Sequence, residues 1–262
     1  MAIDYTAHAI NHKDNGTVVL IGSLGTTQEM WEPQVAALIE KYQVITPDVR
    51  GHGESPIPEG EWDMSHLAAD IIEVLDEEDV DRAHFVGLSL GGAIAQTIAL
   101  EHADRVVSLT LSSTAPKFGT PEAWQEKAEL VRDKGTVALA DTVVRNWFTD
   151  ECFDTTPELP ARFRDMIADC PDDGYIGACG ALSRFDTRER LAEITAPTLV
   201  IAGKQDTSTS LDVVTSLHDG IAGSTMVAIS PAKHLLNQET PEYYNSALLA
   251  HIDGGLSSRK CV

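Results

Sequence analysis

The string Gly87-Leu88-Ser89-Leu90-Gly91-Gly92 places glycine two residues to either side of a serine, the G-x-S-x-G spacing of a nucleophile elbow. The spacing has a physical reason. To hold a hydroxyl above the end of a strand the chain must turn so sharply that the serine backbone is strained, and a Cβ at Gly87 or Gly91 would clash. An apolar run, His84 to Val86, precedes the motif here, and an alanine-rich helical pattern follows it. That context makes Ser89 the candidate nucleophile; the plainer alternative is a glycine-rich turn in which Ser89 caps a helix. A serine hydroxyl at neutral pH attacks poorly unless a base takes its proton, and the base needs a third group to hold its tautomer.

Two later residues meet those needs. Asp206 ends the turn Gly203-Lys204-Gln205-Asp206, just past the apolar run Thr198 to Ala202, and His234 ends Ser230-Pro231-Ala232-Lys233-His234, just past Thr225 to Ile229. Of the nine histidines, only His234 both follows the acid and sits directly after a late strand. His84 reads as strand packing, Asp212 is the rival acid, and the bland role for Asp206 is a turn aspartate accepting backbone N–H bonds. Acyl transfer also requires donors aimed where negative charge develops. The backbone N–H of Leu90 is one candidate; the other is the N–H of Ser23, in Gly22-Ser23-Leu24-Gly25-Thr26-Thr27, with Leu24 one register away. The turn Asp48 to Ser55, DVRGHGES, reads as an ion-paired scaffold for these loops.

Elements must deliver those loops to one place. Up to about Ser113, short β-rich runs (Val18 to Ile21, Gln43 to Thr46, His84 to Val86, Val106 to Leu111) alternate with helical patterns (Pro33 to Glu40, Ser65 to Leu75, Gly91 to Glu101). Such alternation implies βαβ units: an α/β protein with a mostly parallel central sheet and helices on both faces. Between about Ala115 and Glu193 the strands stop and four helix candidates follow, the first opened by Thr120 as N-cap with Pro121 at the first helical position. Strand signals then return as TLVIAG and TMVAIS, and a last helix runs from about Pro241 to His251. The expected organisation is a core of residues 1–114 and 194–262, with a helical lid inserted over 115–193. An open parallel sheet binds ligands beyond the carboxyl ends of its strands, where the candidate residues fall.

Composition agrees with one sizeable core: 262 residues, 43% hydrophobic and 23% charged, far from the disordered corner. With 19 Lys plus Arg against 41 Asp plus Glu, the formal charge is −22, which repels phosphate backbones and anionic leaflets and disfavours nucleic-acid and membrane partners. No apolar run approaches the roughly 18 residues of a spanning helix and the start lacks a signal-peptide pattern, so a cytoplasmic protein is expected. Cys152, Cys170, Cys179 and Cys261 lack CxxC spacing and read as free thiols, Cys179 as packing.

With DVRGHGES, GLSLGG and the chain order Ser89, Asp206, His234, the sequence resembles the α/β-hydrolase fold family over nearly its whole length. Finer strings, SLGTTQEMWEPQVAAL from Ser23, TPEAW from Thr120, RNWFTDECF from Arg145 and CGALSRFDTRERL from Cys179, resemble the 3-oxoadipate enol-lactonases of aromatic-compound degradation. Many α/β-hydrolases have His-Gly before the oxyanion donor where this chain has Ile21-Gly22; the lactonases depart there too. The resemblance implies hydrolysis of 3-oxoadipate enol-lactone to 3-oxoadipate by a serine hydrolase, with no metal or organic cofactor required. The implied substrate is a small lactone bearing a free carboxylate, so a protein at −22 is expected to place a local cation or a set of N–H donors at the pocket. Arg184 is the choice, with Arg145 beside it, and Trp124 and Trp147 are candidate pocket walls. The alternatives are another cofactor-free member of the fold, such as a carboxylesterase, thioesterase, carbon–carbon hydrolase or perhydrolase, or a non-catalytic ligand receptor; the intact trio argues against the receptor.

Overall fold

A strand buried on both faces cannot alternate polar with apolar residues, and the central runs of this chain do not. In the computed structural model, which describes residues 2–254, seven strands form one sheet: β1 Tyr5–His8, β2 Thr17–Ile21, β3 Gln43–Pro47, β4 Ala83–Leu88, β5 Val106–Ser112, β6 Thr198–Gly203 and β7 Thr225–Ile229. Their order across the sheet is β1-β3-β2-β4-β5-β6-β7, parallel throughout except for β1, which pairs antiparallel with β3. Every residue of β2, β3 and β6 is buried, whereas the edge strands β1 and β7 are half-exposed.

Alternate residues of each strand feed different cores. Val19, Ile21, Phe85 and Val200 face the helices α2 (Met64–Glu77) and α3 (Leu90–Glu101) and α9 (Leu211–Gly220). Val18, Leu20, Leu199 and Ile201 face α1 (Glu32–Leu38) and α11 (Pro241–Ile252). The short α10 (Leu236–Glu239) leads into α11. Burial of side chains of this size contributes roughly 1.5–3 kcal/mol each, so two layers packed on one sheet supply most of what opposes chain entropy.

Between β5 and β6 the chain forms α4 (Pro121–Lys134), α5 (Val137–Trp147), α6 (Asp150–Thr155), α7 (Glu158–Ala168) and α8 (Asp172–Arg184), five helices rather than the four expected. One of them, α6, is only six residues long, too short to show a period. Thr120 does open α4: its side chain accepts from the Ala123 N–H (3.3 Å) and Pro121 takes the first position. The chain contains no helix, among the described residues, long and apolar enough to cross a membrane. Cys152, Cys170 and Cys179 are free and buried, and Cys261 lies outside the described residues. Burial pushes the Cys179 thiol up to about 12, as suits a packing residue.

Register positions the site. Ile21 pairs with Gly87, Leu88 with Ser112, and Gly203 with Ile229, so the carboxyl ends of five neighbouring strands share one edge. From β2 the chain goes outward to β3 and then crosses to β4 on the other side of β2, so the order reverses between β2 and β4. At such a reversal the loops diverge and leave a crevice.

Candidate active site

The loops after β2 and β4 border that crevice. Ser89 follows β4 directly with φ 57° and ψ −112°, a conformation that L-residues rarely adopt. Two close approaches hold it there. A Cβ at Gly87 would sit 2.1 Å from the Gly91 carbonyl oxygen, and one at Gly91 would sit 2.0 Å from the Ile21 carbonyl oxygen. The Ser89 N–H donates to the Ser112 carbonyl (3.0 Å) and the Thr114 hydroxyl donates to the Ser89 carbonyl (2.8 Å), so the strained turn is tied to β5 and the loop after it.

Asp206 and His234 come from the next loops along the same edge, each about nineteen-twentieths buried or more, at 6% and 2% exposure. Asp206 Oδ2 accepts from His234 Nδ1 (2.7 Å) and from the Thr209 hydroxyl (2.7 Å), while Oδ1 accepts from the N–H groups of Ser208 (2.7 Å) and Thr209 (3.1 Å). Burial would raise this carboxyl's pKa, but the adjacent His234 ring and the Thr209 donors outweigh it and hold the group below the ordinary carboxylate value. An ionised carboxylate only accepts, so His234 must carry its proton on Nδ1, which leaves Nε2 as the basic edge. Asp212, the rival acid, is the second residue of α9, and the carboxylate that bonds His234 Nδ1 is that of Asp206. His84 bonds Ser108 (2.8 Å) in β5, consistent with packing.

The His234 loop is braced from both sides. On the core side, a Cβ at Gly203 would lie 2.2 Å from the Lys233 carbonyl oxygen, and the Ala232 N–H donates to Gln205 Oε1 (2.8 Å). On the helical side, the Leu235 N–H donates to the Trp147 carbonyl (3.2 Å), and Trp147 stacks on the His234 ring. Glu239 joins the two: Oε2 accepts from the Lys233 N–H (2.9 Å), and Oε1 accepts from the N–H (2.8 Å) and hydroxyl of Thr149.

As first residue of α3, Leu90 has a backbone N–H with no partner within the helix. The Ser23 N–H donates to the Met30 thioether (3.2 Å), a weak acceptor that a stronger anion can displace. The Ser23 hydroxyl, buried on the cavity wall, meets no partner among the described residues.

A cavity of about 370 Å³ joins these groups. Ser23, Ser89 and His234 line it from the core, and Trp124, Trp147 and Tyr175 from α4, α5 and α8. Both expected tryptophans therefore reach it. Arg184 does not. It faces a separate depression beside Asp63 and Glu101, its guanidinium donates to the Trp62 carbonyl, and Glu61 lies 3.6 Å away. Arg145 is also elsewhere, stacked 4.0 Å over the Phe153 ring. The cations on the cavity wall are Lys117 and Lys127, both missed from the sequence. Among the described residues, no three His, Cys, Asp or Glu side chains come together as metal ligands would.

The family model of the alpha/beta hydrolase fold matches residues 16–241. The chain is an alpha/beta hydrolase. Similar to this hydrolase are two 3-oxoadipate enol-lactonases of Acinetobacter baylyi. One is 35% identical over 95% of this chain and 92% of the relative, the other 37% identical over 90% and 88%. The crystal structure of the enol-lactonase from Burkholderia xenovorans LB400 superposes with a TM-score of 0.93 at 34% identity, covering 96% of each chain.

Proposed function

We propose that this alpha/beta hydrolase opens 3-oxoadipate enol-lactone to 3-oxoadipate through an acyl-enzyme, with Ser89, His234 and Asp206 as its catalytic trio. His234 Nε2 takes the Ser89 proton as Oγ bonds to the lactone carbonyl carbon. The oxyanion accepts from the Leu90 and Ser23 N–H groups, the latter exchanged from Met30 sulfur. Collapse breaks the ring C–O bond and releases an enolate, a better leaving group than an alkoxide, which takes the proton from His234. Water deprotonated by His234 then hydrolyses the acyl-enzyme. Asp206 stabilises the imidazolium without taking its proton. Residues 115–193 act as the lid that excludes bulk water and shapes the pocket, and the protein works in the cytoplasm on a small soluble substrate.

The observation that carries the hydrolase reading is the buried Asp206–His234 pair, whose His234 lines the same cavity as Ser89. The substrate is supported by the relatives' names and by their similarity across core and lid alike. The test is kinetic. Purified protein should hydrolyse the carboxylate-bearing enol-lactone with a higher kcat/KM than neutral short-chain esters, and Ser89→Ala should abolish turnover while leaving the circular dichroism unchanged. Neutral esters turned over equally well would refute the lactonase reading and leave the hydrolase intact. Turnover retained in Ser89→Ala would remove the nucleophile.

A further inference from the structure

The enol-lactone of 3-oxoadipate closes one of its two carboxyl groups onto the enol oxygen and leaves the other free, so the substrate proposed above is an anion entering a protein of formal charge −22. At long range that field opposes binding, and a local cation at the pocket offsets it. Two lysines line the cavity shared by Ser89 and His234. Lys117 is engaged, its Nζ 3.2 Å from Asp186, which Arg188 also holds at 2.6 Å. Lys127 has no ion pair and no hydrogen bond among the described residues; its Nζ lies 4.5 Å from the centroid of the Trp124 ring.

The half-buried Lys127 sits where α4 packs on α8, and burial there lowers its ammonium pKa against an opposing pull from Cys179. A cation that has given up water and gained one aromatic face is left with unused donors. Among the described residues that line the cavity there is no aspartate or glutamate to compete with an incoming anion for Lys127.

We infer that the Lys127 ammonium receives the free carboxylate of the substrate and so sets the preference of this site for an anionic lactone. The inference rests on the lactonase reading, and its test separates the two. Wild type, Lys127→Met and Lys127→Arg are assayed on the enol-lactone and on the methyl ester of its side-arm carboxylate. Lys127→Met keeps the length of the side chain and removes its charge. It is expected to lose about ten- to hundredfold in kcat/KM on the acid, mostly through KM, and to change less than about twofold on the methyl ester. Lys127→Arg is expected to restore most of the loss. If wild type prefers the acid and Lys127→Met keeps that preference, or loses equally on both substrates, the inference is overturned and the lactonase reading survives. If wild type itself turns over the acid and the methyl ester equally, the inference is overturned and the lactonase reading survives; if wild type does not open the enol-lactone at all, both are overturned.

Discussion

The Trp147 indole lies nearly parallel to the His234 imidazole, ring centroids 6.0 Å apart and planes inclined by 22°. Trp147 is the last residue of α5, and its carbonyl accepts from the N–H of Leu235, the residue after His234. Helix α5 and the loop carrying His234 are thus joined twice, once through backbone and once through rings. A change of side chain at Trp147 removes only the second link.

Replacing Trp147 by leucine should therefore loosen His234 without unfastening its loop. The expected result is a drop in kcat of roughly tenfold, the scale of a catalytic group displaced by a fraction of an ångström. Trp147→Ala, which also empties a buried site, should lower unfolding stability by about 3–5 kcal/mol. Steady-state kinetics and urea denaturation read the two effects separately; an unchanged kcat in Trp147→Leu would show that the ring does not orient the base.

Asp206→Asn tests the tautomer. The amide keeps shape, but its nitrogen can face His234 Nδ1 as a donor, which favours the proton on Nε2 and removes the basic edge from the cavity. Four donors now converge on the carboxylate, and an amide can accept from only some of them. The expected loss in kcat is about 10⁴-fold at neutral pH. Activity within tenfold of wild type would mean that Asp206 is only a turn residue.

That Ser89, Asp206 and His234 lie along one edge was legible because Ser89 directly follows β4 while Asp206 and His234 lie three and five residues past β6 and β7, and parallel strands in register put their carboxyl ends on one edge. The edge strand Tyr5–His8 was not legible, since four half-exposed residues show no period. The pocket cation was misassigned for a related reason. Arg184 lies in the last turn of α8, and its rotation about that helix decides whether it faces the cavity or Glu61. Lys127 reads as part of a solvated face in QEKAE. A signal was nonetheless present: Lys127 stands three residues after Trp124, and residues at that spacing share a helix face, so the choice of Trp124 as a wall carried Lys127 with it.

Stability should depend on pH through His52, a residue of the Asp48–Ser55 turn. It is 1% exposed, and burial pushes its imidazole down to about 4 against the opposing pull of backbone groups of Arg50 and Val49. In the unfolded chain the ring accepts a proton near pH 6.5 (about the ordinary value). Between about 6.5 and 4 the unfolded state binds the extra proton, so this contribution is complete above 6.5 and is lost as pH falls, at about 1.4 kcal/mol per pH unit. Nearby Asp48, raised by burial to about 6, works the opposite way: its contribution is present at low pH and lost as pH rises through 6. Comparison with His52→Gln cancels the Asp48 share. Between pH 7 and pH 5, wild type should lose about 2 kcal/mol more unfolding free energy than His52→Gln, measured by urea titration. Parallel pH profiles would place the His52 proton elsewhere.

Gly91 and Gly180 make a paired test of what a single methyl group does in this fold. Glycine in a helix interior is destabilised relative to alanine by about 1 kcal/mol, so substitution helps wherever space allows. Gly180 lies inside α8, where a Cβ would meet only the flexible guanidinium of Arg184 at 3.7 Å. Gly91 lies in the first turn of α3, where a Cβ would meet the Ile21 and Gly22 carbonyl oxygens at 2.0 and 2.8 Å. Those are backbone atoms at the start of the loop that carries Ser23, and they cannot swing aside as a side chain can. Relief requires the loop to move away from α3, which takes the Ser23 N–H away from the Leu90 N–H. Gly180→Ala should raise stability by about 0.5–1 kcal/mol with kcat unchanged. Gly91→Ala should lower stability by about 3 kcal/mol or more and, in the folded fraction, reduce kcat about 10²-fold, the scale of losing one oxyanion donor. Normal kcat in a folded Gly91→Ala protein would mean that the loop after β2 does not supply a donor and that the oxyanion is held without it.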